Sequence, residues 1–98
     1  MIELADRPIP ILLVDDDPER DILARRLQAA EPKYRVEHVL SLADALARLG
    51  RGHYDVVLCD YVLGSGDTAV QLVEAVAASG SNSKVVVFSA LVEGEDKE

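Results

Sequence analysis

Two apolar runs in this chain end in acid. Ile11-Leu12-Leu13-Val14 leads into Asp15-Asp16-Asp17, and Val56-Val57-Leu58-Cys59 leads into Asp60. If the two runs lie side by side and parallel, their carboxyl ends meet and three or four carboxylates converge at one edge. Charges about 4 Å apart repel by roughly 4 kcal/mol per pair at an effective dielectric near 20, so such a cluster calls for a cation or a proton. The function of the chain is expected there.

The elements that would bring these acids together can be read from the pattern. Apolar runs without alternation suit strands buried on both faces of a parallel sheet. Ile9 to Val14 is the first strand. Asp17 followed by Pro18 is an N-cap with proline at the first helical position. The predicted helix runs to about Ala30, with Ile22, Leu23, Leu27 and Ala30 on its buried stripe, and Pro32 closes it. Tyr34 to Val39 alternates like an edge strand. Ser41 caps a second helix in which Leu42, Ala45, Leu46 and Leu49 recur at helical spacing, and Gly50 stops it. Asp55 to Cys59 is the third strand. Gly64-Ser65-Gly66 is a loop, and Asp67 caps a third helix reaching about Ala78. Gly80-Ser81-Asn82-Ser83 turns into a fourth strand, Lys84 to Ser89.

Strands alternating with helices predict an α/β domain with right-handed crossovers. In such sheets ligands bind beyond the carboxyl ends of the strands. That rule sets Asp15, Asp16, Asp17, Asp60 and Ser89 on one rim.

Composition narrows the classes. Ninety-eight residues make a single domain, 1–98. With 49% hydrophobic residues but only 4% aromatic, the core must be aliphatic. A net charge of −8 argues against a nucleic-acid backbone or an anionic membrane as a direct partner. One cysteine forms no internal disulfide, so a reducing cytoplasm is the expected location. Met1 to Pro10 carries Glu3, Asp6 and Arg7 and reads as neither signal peptide nor membrane span. Residues 91–98 read as an acidic tail or the start of a fourth helix.

With these elements in order, the chain resembles the receiver domain of bacterial two-component response regulators. That is the CheY-like, flavodoxin-like doubly wound parallel sheet. The resemblance runs from Ile9 to about Ala90. It is carried by Val14-Asp15-Asp16-Asp17-Pro18, by Asp60 ending the third strand, and by Ser89-Ala90 ending the fourth. It implies that Asp60 accepts a phosphoryl group from a phosphohistidine of a sensor histidine kinase or a phosphotransfer protein. It implies Mg2+ held by Asp15, Asp16 and Asp60 with the backbone carbonyl of Val62. It also implies that the Ser89 hydroxyl follows the phosphoryl group and transmits the switch. Such a domain turns over no separate substrate and is not an enzyme in the ordinary sense. Hard oxygen ligands suit Mg2+, whose charge lets the acids stay ionised together.

Three departures from the family pattern stand out. The family's usual proline four residues after the acceptor is Gly64 here, and the glycine four further on is Thr68. The sequence covers four strands and three helices, so the fold is expected to be incomplete, lacking the fourth helix, the fifth strand and the fifth helix. The fifth strand would carry the lysine that pairs with the phosphoryl group. Lys84 opens the fourth strand at the wrong end of the sheet for that role, and Lys97 lies in the tail. The fourth strand would then be an apolar edge, from which self-association or a homodimer is expected.

Other features read plainly. Cys59 is a small core residue rather than a redox thiol. His38 and His53 are surface or loop residues without metal-ligand spacing. Gly64-Ser65-Gly66-Asp67-Thr68-Ala69 fits the G-x-G-x-x-G/A fingerprint formally, but it follows the third strand and is read as a turn. An aspartate-nucleophile phosphatase would want a second acid two residues after Asp60, where Val62 stands. The alternative kept beside phosphoacceptance is a phosphorylation-independent receiver-like interaction or dimerisation module.

Overall fold

The computed structural model describes residues 7–88. Ser89 and the 91–98 segment lie outside the described residues. Four parallel strands form the main sheet: β1 (Ile9–Val14), β2 (Tyr34–Val39), β3 (Val56–Asp60) and β6 (Lys84–Phe88), in the order β2-β1-β3-β6. The remaining two strands, β4 (Val62–Gly64) and β5 (Asp67–Thr68), make a small antiparallel hairpin. The helices are α1 (Asp21–Ala30), α2 (Leu42–Leu49) and α3 (Ala69–Ala78).

The strand order positions the site. From β1 the chain steps outward to β2, then crosses back to β3 on the other side of β1. This reversal opens a crevice at the carboxyl ends of β1 and β3, where doubly wound sheets bind ligands. Register is tight, with Leu12 opposite Val57, Leu13 opposite Leu58 and Val14 opposite Cys59. Asp15 and Asp60 therefore leave the sheet at neighbouring points.

Alternation sorts the strand side chains into two layers. Leu12, Val14, Val57 and Cys59 join Leu42 and Ala45 of α2 and Ala69 and Leu72 of α3 in one aliphatic core. By the same period of two, Ile11 and Leu13 face the opposite layer, where α1 packs along β2. Burying a side chain such as Leu12 or Leu72, both fully enclosed, stabilises the fold by about 1.5–3 kcal/mol each.

Several local expectations are corrected. The first turn after Asp17 is a 3-10 turn, Pro18–Arg20, and α1 proper begins at Asp21. That tighter turn advances the chain by a different angle per residue and re-phases the helix. Ala24 is buried and Leu23 and Leu27 are half-buried, whereas Ile22 and Ala30 are exposed. Leu46 likewise points outward from α2. Asp67 does not cap α3; it pairs within the hairpin. Thr68 is the N-cap, and its backbone N–H donates to Gln71 Oε1 at 2.8 Å, part of a capping box. Asp17 does cap as expected, its Oδ1 accepting from the Glu19 N–H at 3.0 Å.

Candidate phosphoacceptor and metal site

The site is built on strand ends. At the end of β1, Asp15 turns inward and is 1% exposed, while Asp16 is exposed beside it. At the end of β3, Asp60 is half-buried. One ligand oxygen from each of Asp15, Asp16 and Asp60 lies within 4.8 Å of the others. Asp17 stands apart in its capping role, with an oxygen 3.9 Å from the Arg20 guanidinium.

A buried carboxylate must be paired or neutralised. The Asp15 oxygens are both engaged: Oδ1 accepts the Asp17 N–H at 2.9 Å and Oδ2 accepts Arg20 Nε–H at 3.0 Å. The Asp15 backbone is anchored as well. Its N–H donates to Val39 O at 3.1 Å, and its carbonyl accepts from His38 Nε2 at 2.9 Å. His38 is thus no loop residue: it lies half-buried in β2 and ties that strand to the site.

The Asp60 carboxyl titrates above the ordinary aspartate range. Burial is the main cause, the negative charge of Asp15 the next, and Asp16 adds to it, while Arg20 and a backbone hydrogen bond at Tyr61 pull the other way. The neighbouring Cys59 thiol is pushed up to about 12 by burial and by the charges of Asp60 and Asp15. It is a buried core residue, as its sequence context implied.

The hairpin closes the other side. Ser65 and Gly66 form its two-residue tip with φ of 54° and 81°, the positive values a type I′ turn requires. The formal dinucleotide fingerprint is thereby accounted for as a turn. Gly64 also has positive φ, 79°, a conformation closed to the proline usual at this position in the resembled family. A Cβ on Gly64 would lie 2.8 Å from Asp16 Oδ2, so the bare glycine makes the space into which that carboxylate leans. Val62 opens β4 two residues after Asp60 and pairs with Thr68. Tyr61 is 46% exposed at the rim, its N–H held by Phe88 O at 2.8 Å and its carbonyl accepting from Ala69 N–H at 2.8 Å. The β3 end is thus tied to β6 and to the start of α3.

Three carboxylates on rigid strand ends, with a glycine-lined gap beside one of them, fit a hard divalent cation of Mg2+ type. The cluster sits on an open rim. A recess of 780 Å³ lies at the opposite pole, among Leu46, Leu49, Ala75 and Val76, and holds no comparable set of acids. Of the expected site residues, Asp15, Asp16 and Asp60 come together and Val62 follows close by, while Ser89 lies outside the described residues. Arg20, His38 and Gly64 were not anticipated as site residues. The spacing of Arg20, one helical entry turn after Asp15, was the available signal for the first of these.

Comparison with known proteins agrees with the fold. The receiver domain of Francisella response regulator 1452 superposes with a TM-score of 0.73 at 19% identity, covering 86% of this chain and 68% of its own. A fusion carrying a yeast Spc42 trimeric coiled-coil segment matches at 0.76 and 29% identity, over 90% of this chain and 58% of that one. The MaeR response regulator bound to beryllium trifluoride matches at 0.73 and 22% identity, over 84% and 67%. The chain therefore spans between about three fifths and two thirds of these neighbours. No curated protein sequence matches it. Residues 11–98 match the response regulator receiver domain, and the chain belongs to that family.

Proposed function

We propose that this domain receives a phosphoryl group on Asp60 from a phosphohistidine of a sensor kinase or phosphotransfer protein, in the presence of Mg2+. The observation that carries the reading is the convergence of Asp15, Asp16 and Asp60 within 4.8 Å at the strand-order reversal. In this reaction an Asp60 carboxylate oxygen forms a bond to phosphorus. The phosphorus–nitrogen bond to histidine breaks, and its electron pair stays on the imidazole. Asp15 and Asp16, with the Val62 carbonyl, would hold the cation beside Asp60. When bound, Mg2+ supplies positive charge that offsets the incoming phosphoryl oxygens. Anchoring of the Asp15 backbone by His38 and Val39 keeps the acids in place without rearrangement, and the Ser89 hydroxyl would meet the new oxygens.

The test is direct. Acetyl phosphate with Mg2+ is expected to add one phosphoryl group to the wild-type protein and none to the D60A variant, read by intact mass. Beryllium trifluoride, which the neighbouring MaeR binds, is expected to shift the amide resonances of Asp60 and Tyr61. An unmodified and unshifted wild-type protein would sink the reading.

A second reading rests on β6, the outermost strand of the sheet among the described residues. Val86 and Val87 of β6 are each 44% exposed on opposite faces of that strand. Such an apolar edge suits pairing with another chain, and the domain would then act as a receiver-like dimerisation or interaction module. Association that persists unchanged in D60A, without any phosphodonor response, favours this reading over the first.

A further inference from the structure

Arg20 occupies a position that the acid cluster alone does not explain. Its Nε–H donates to Asp15 Oδ2 at 3.0 Å, and this is the ion pair that Asp15 makes among the described residues. Asp15 is 1% exposed, whereas the Arg20 side chain is 31% exposed. The guanidinium therefore reaches from the surface, from the last residue of the 3-10 turn, to cover a buried charge. The short turn fixed by Asp17 and Pro18 aims it there.

A buried carboxylate needs one cation, and here two can serve it. Resting on the reading that the cluster binds Mg2+, we propose that Arg20 is a competing counter-cation that sets the metal affinity of the site. In the metal-free protein it neutralises Asp15 and holds the carboxylate in its rotamer. A divalent ion placed among Asp15, Asp16 and Asp60 draws on the same Asp15 oxygens and is repelled by the guanidinium beside them. Because coupling between two bound cations is reciprocal, metal binding loosens the Arg20–Asp15 bond by the factor by which Arg20 weakens metal binding. The site would thus stay closed to weakly competing cations and release a positively charged side chain as it loads. That freed guanidinium, planar and rich in donors, would stand beside the acceptor.

The structural alternative is that Arg20 merely preorganises Asp15, and it predicts the opposite sign. Groups bonded to metal ligands commonly shift affinity by about 10- to 100-fold, and they usually strengthen it. Here R20Q is expected to tighten Mg2+ binding about tenfold, the low end of that range, because the group removed is itself a cation. The measurement is a Mg2+ titration followed by amide resonances of Asp16, Asp60 and Tyr61, with no phosphodonor present. R20K, which keeps the charge but loses Nε, is expected to fall between wild type and R20Q.

In the wild-type protein the Arg20 Nε–H resonance is expected to lose its protection from solvent exchange as Mg2+ is added. That readout needs no substitution and decides the matter if R20Q does not fold. Unchanged or weaker binding in R20Q, or an Arg20 Nε–H that stays protected at saturation, overturns the inference while leaving the phosphoacceptor reading intact. Absence of Mg2+ binding in both wild type and R20Q overturns both. Binding by R20Q where wild type shows none is the expected result in its extreme form.

Discussion

Replacing Asp60 by asparagine removes one negative charge from a crowded cluster and keeps the shape. The cluster places Asp60 within 4.8 Å of ligand oxygens on both Asp15 and Asp16. At that separation a pair of like charges costs roughly 3.5 kcal/mol at an effective dielectric near 20, so the gross repulsion on Asp60 is about 7 kcal/mol. Two features reduce it. Arg20 offsets part of the Asp15 charge, and Asp16 is exposed, so water screens its charge. A surface pair of this kind falls below about 1 kcal/mol. The residue is about 1 kcal/mol, or roughly 4–8 °C in Tm for a domain of this size.

The raised titration of Asp60 gives the sign with pH. A carboxyl that holds its proton more tightly when folded stabilises the fold fully below the ordinary carboxylate range. It loses that contribution as pH rises through its raised folded value. At neutral pH and without metal, D60N is therefore expected to be the more stable protein, with the gap closing on acidification. Mg2+ at ten times its Kd should stabilise the wild type by roughly 1.4 kcal/mol and the variant much less. Urea unfolding followed by circular dichroism, in chelator and in Mg2+ across the acid-to-neutral range, measures all of this. D60N no more stable than wild type in chelator at neutral pH, or stabilised equally by Mg2+, would refute the reasoning.

Three further outcomes follow from the same geometry. G64A forces a Cβ to 2.8 Å from Asp16 Oδ2 at a φ of +79°, and should cost about 1–2 kcal/mol in urea unfolding and weaken Mg2+ binding in a resonance titration. Cys59, buried and with its thiol pushed up to about 12, should resist a thiol reagent in the native state and react only as fast as the domain opens. V86K puts a charge on the apolar outer strand and should shift any self-association toward monomer by sedimentation, with little change in stability; an unaltered oligomer would clear β6 of that role.

Much of the scaffold was legible because it rests on strong periodic signals. The uninterrupted runs at Ile11 to Val14 and Val56 to Cys59 read as strands covered on both faces. That holds for β1, whereas β3 is only half-buried on its Val56 and Leu58 face; their parallel register follows from the crossovers. The convergence of Asp15, Asp16 and Asp60 followed from that register. What escaped depended on phase and on side-chain reach. Ile22 looked like a core residue because an α-helix starting at Pro18 would carry it inward, and the 3-10 turn rotates it out. The hairpin of Val62–Gly64 with Asp67–Thr68 was hidden because five residues cannot show alternation. Arg20 was hidden because a long polar side chain five residues from Asp15 has many alternatives to the one it takes. His38 was misread for a similar reason: in an alternating edge strand it looks solvent-facing, yet its ring reaches the carbonyl of the neighbouring strand end.

These missed residues share a function that the acids do not show. Asp15, at 1% exposure, is paired by Arg20, and its backbone is held in place by β2. Asp16 could not lean toward the hairpin if Gly64 bore a side chain. The acid cluster is thus held together by neutral space on one side and a cation on the other. On the proposed coupling, charge balance at the β1–β3 crevice is set through Arg20, whose side chain is half-buried. Among the described residues Asp60 makes no ion pair, and burial first and the charge of Asp15 second raise its titration. A cation bound beside Asp60 would relieve that imbalance, so the raised titration of this carboxyl and the proposed metal site express one and the same crowding of charge.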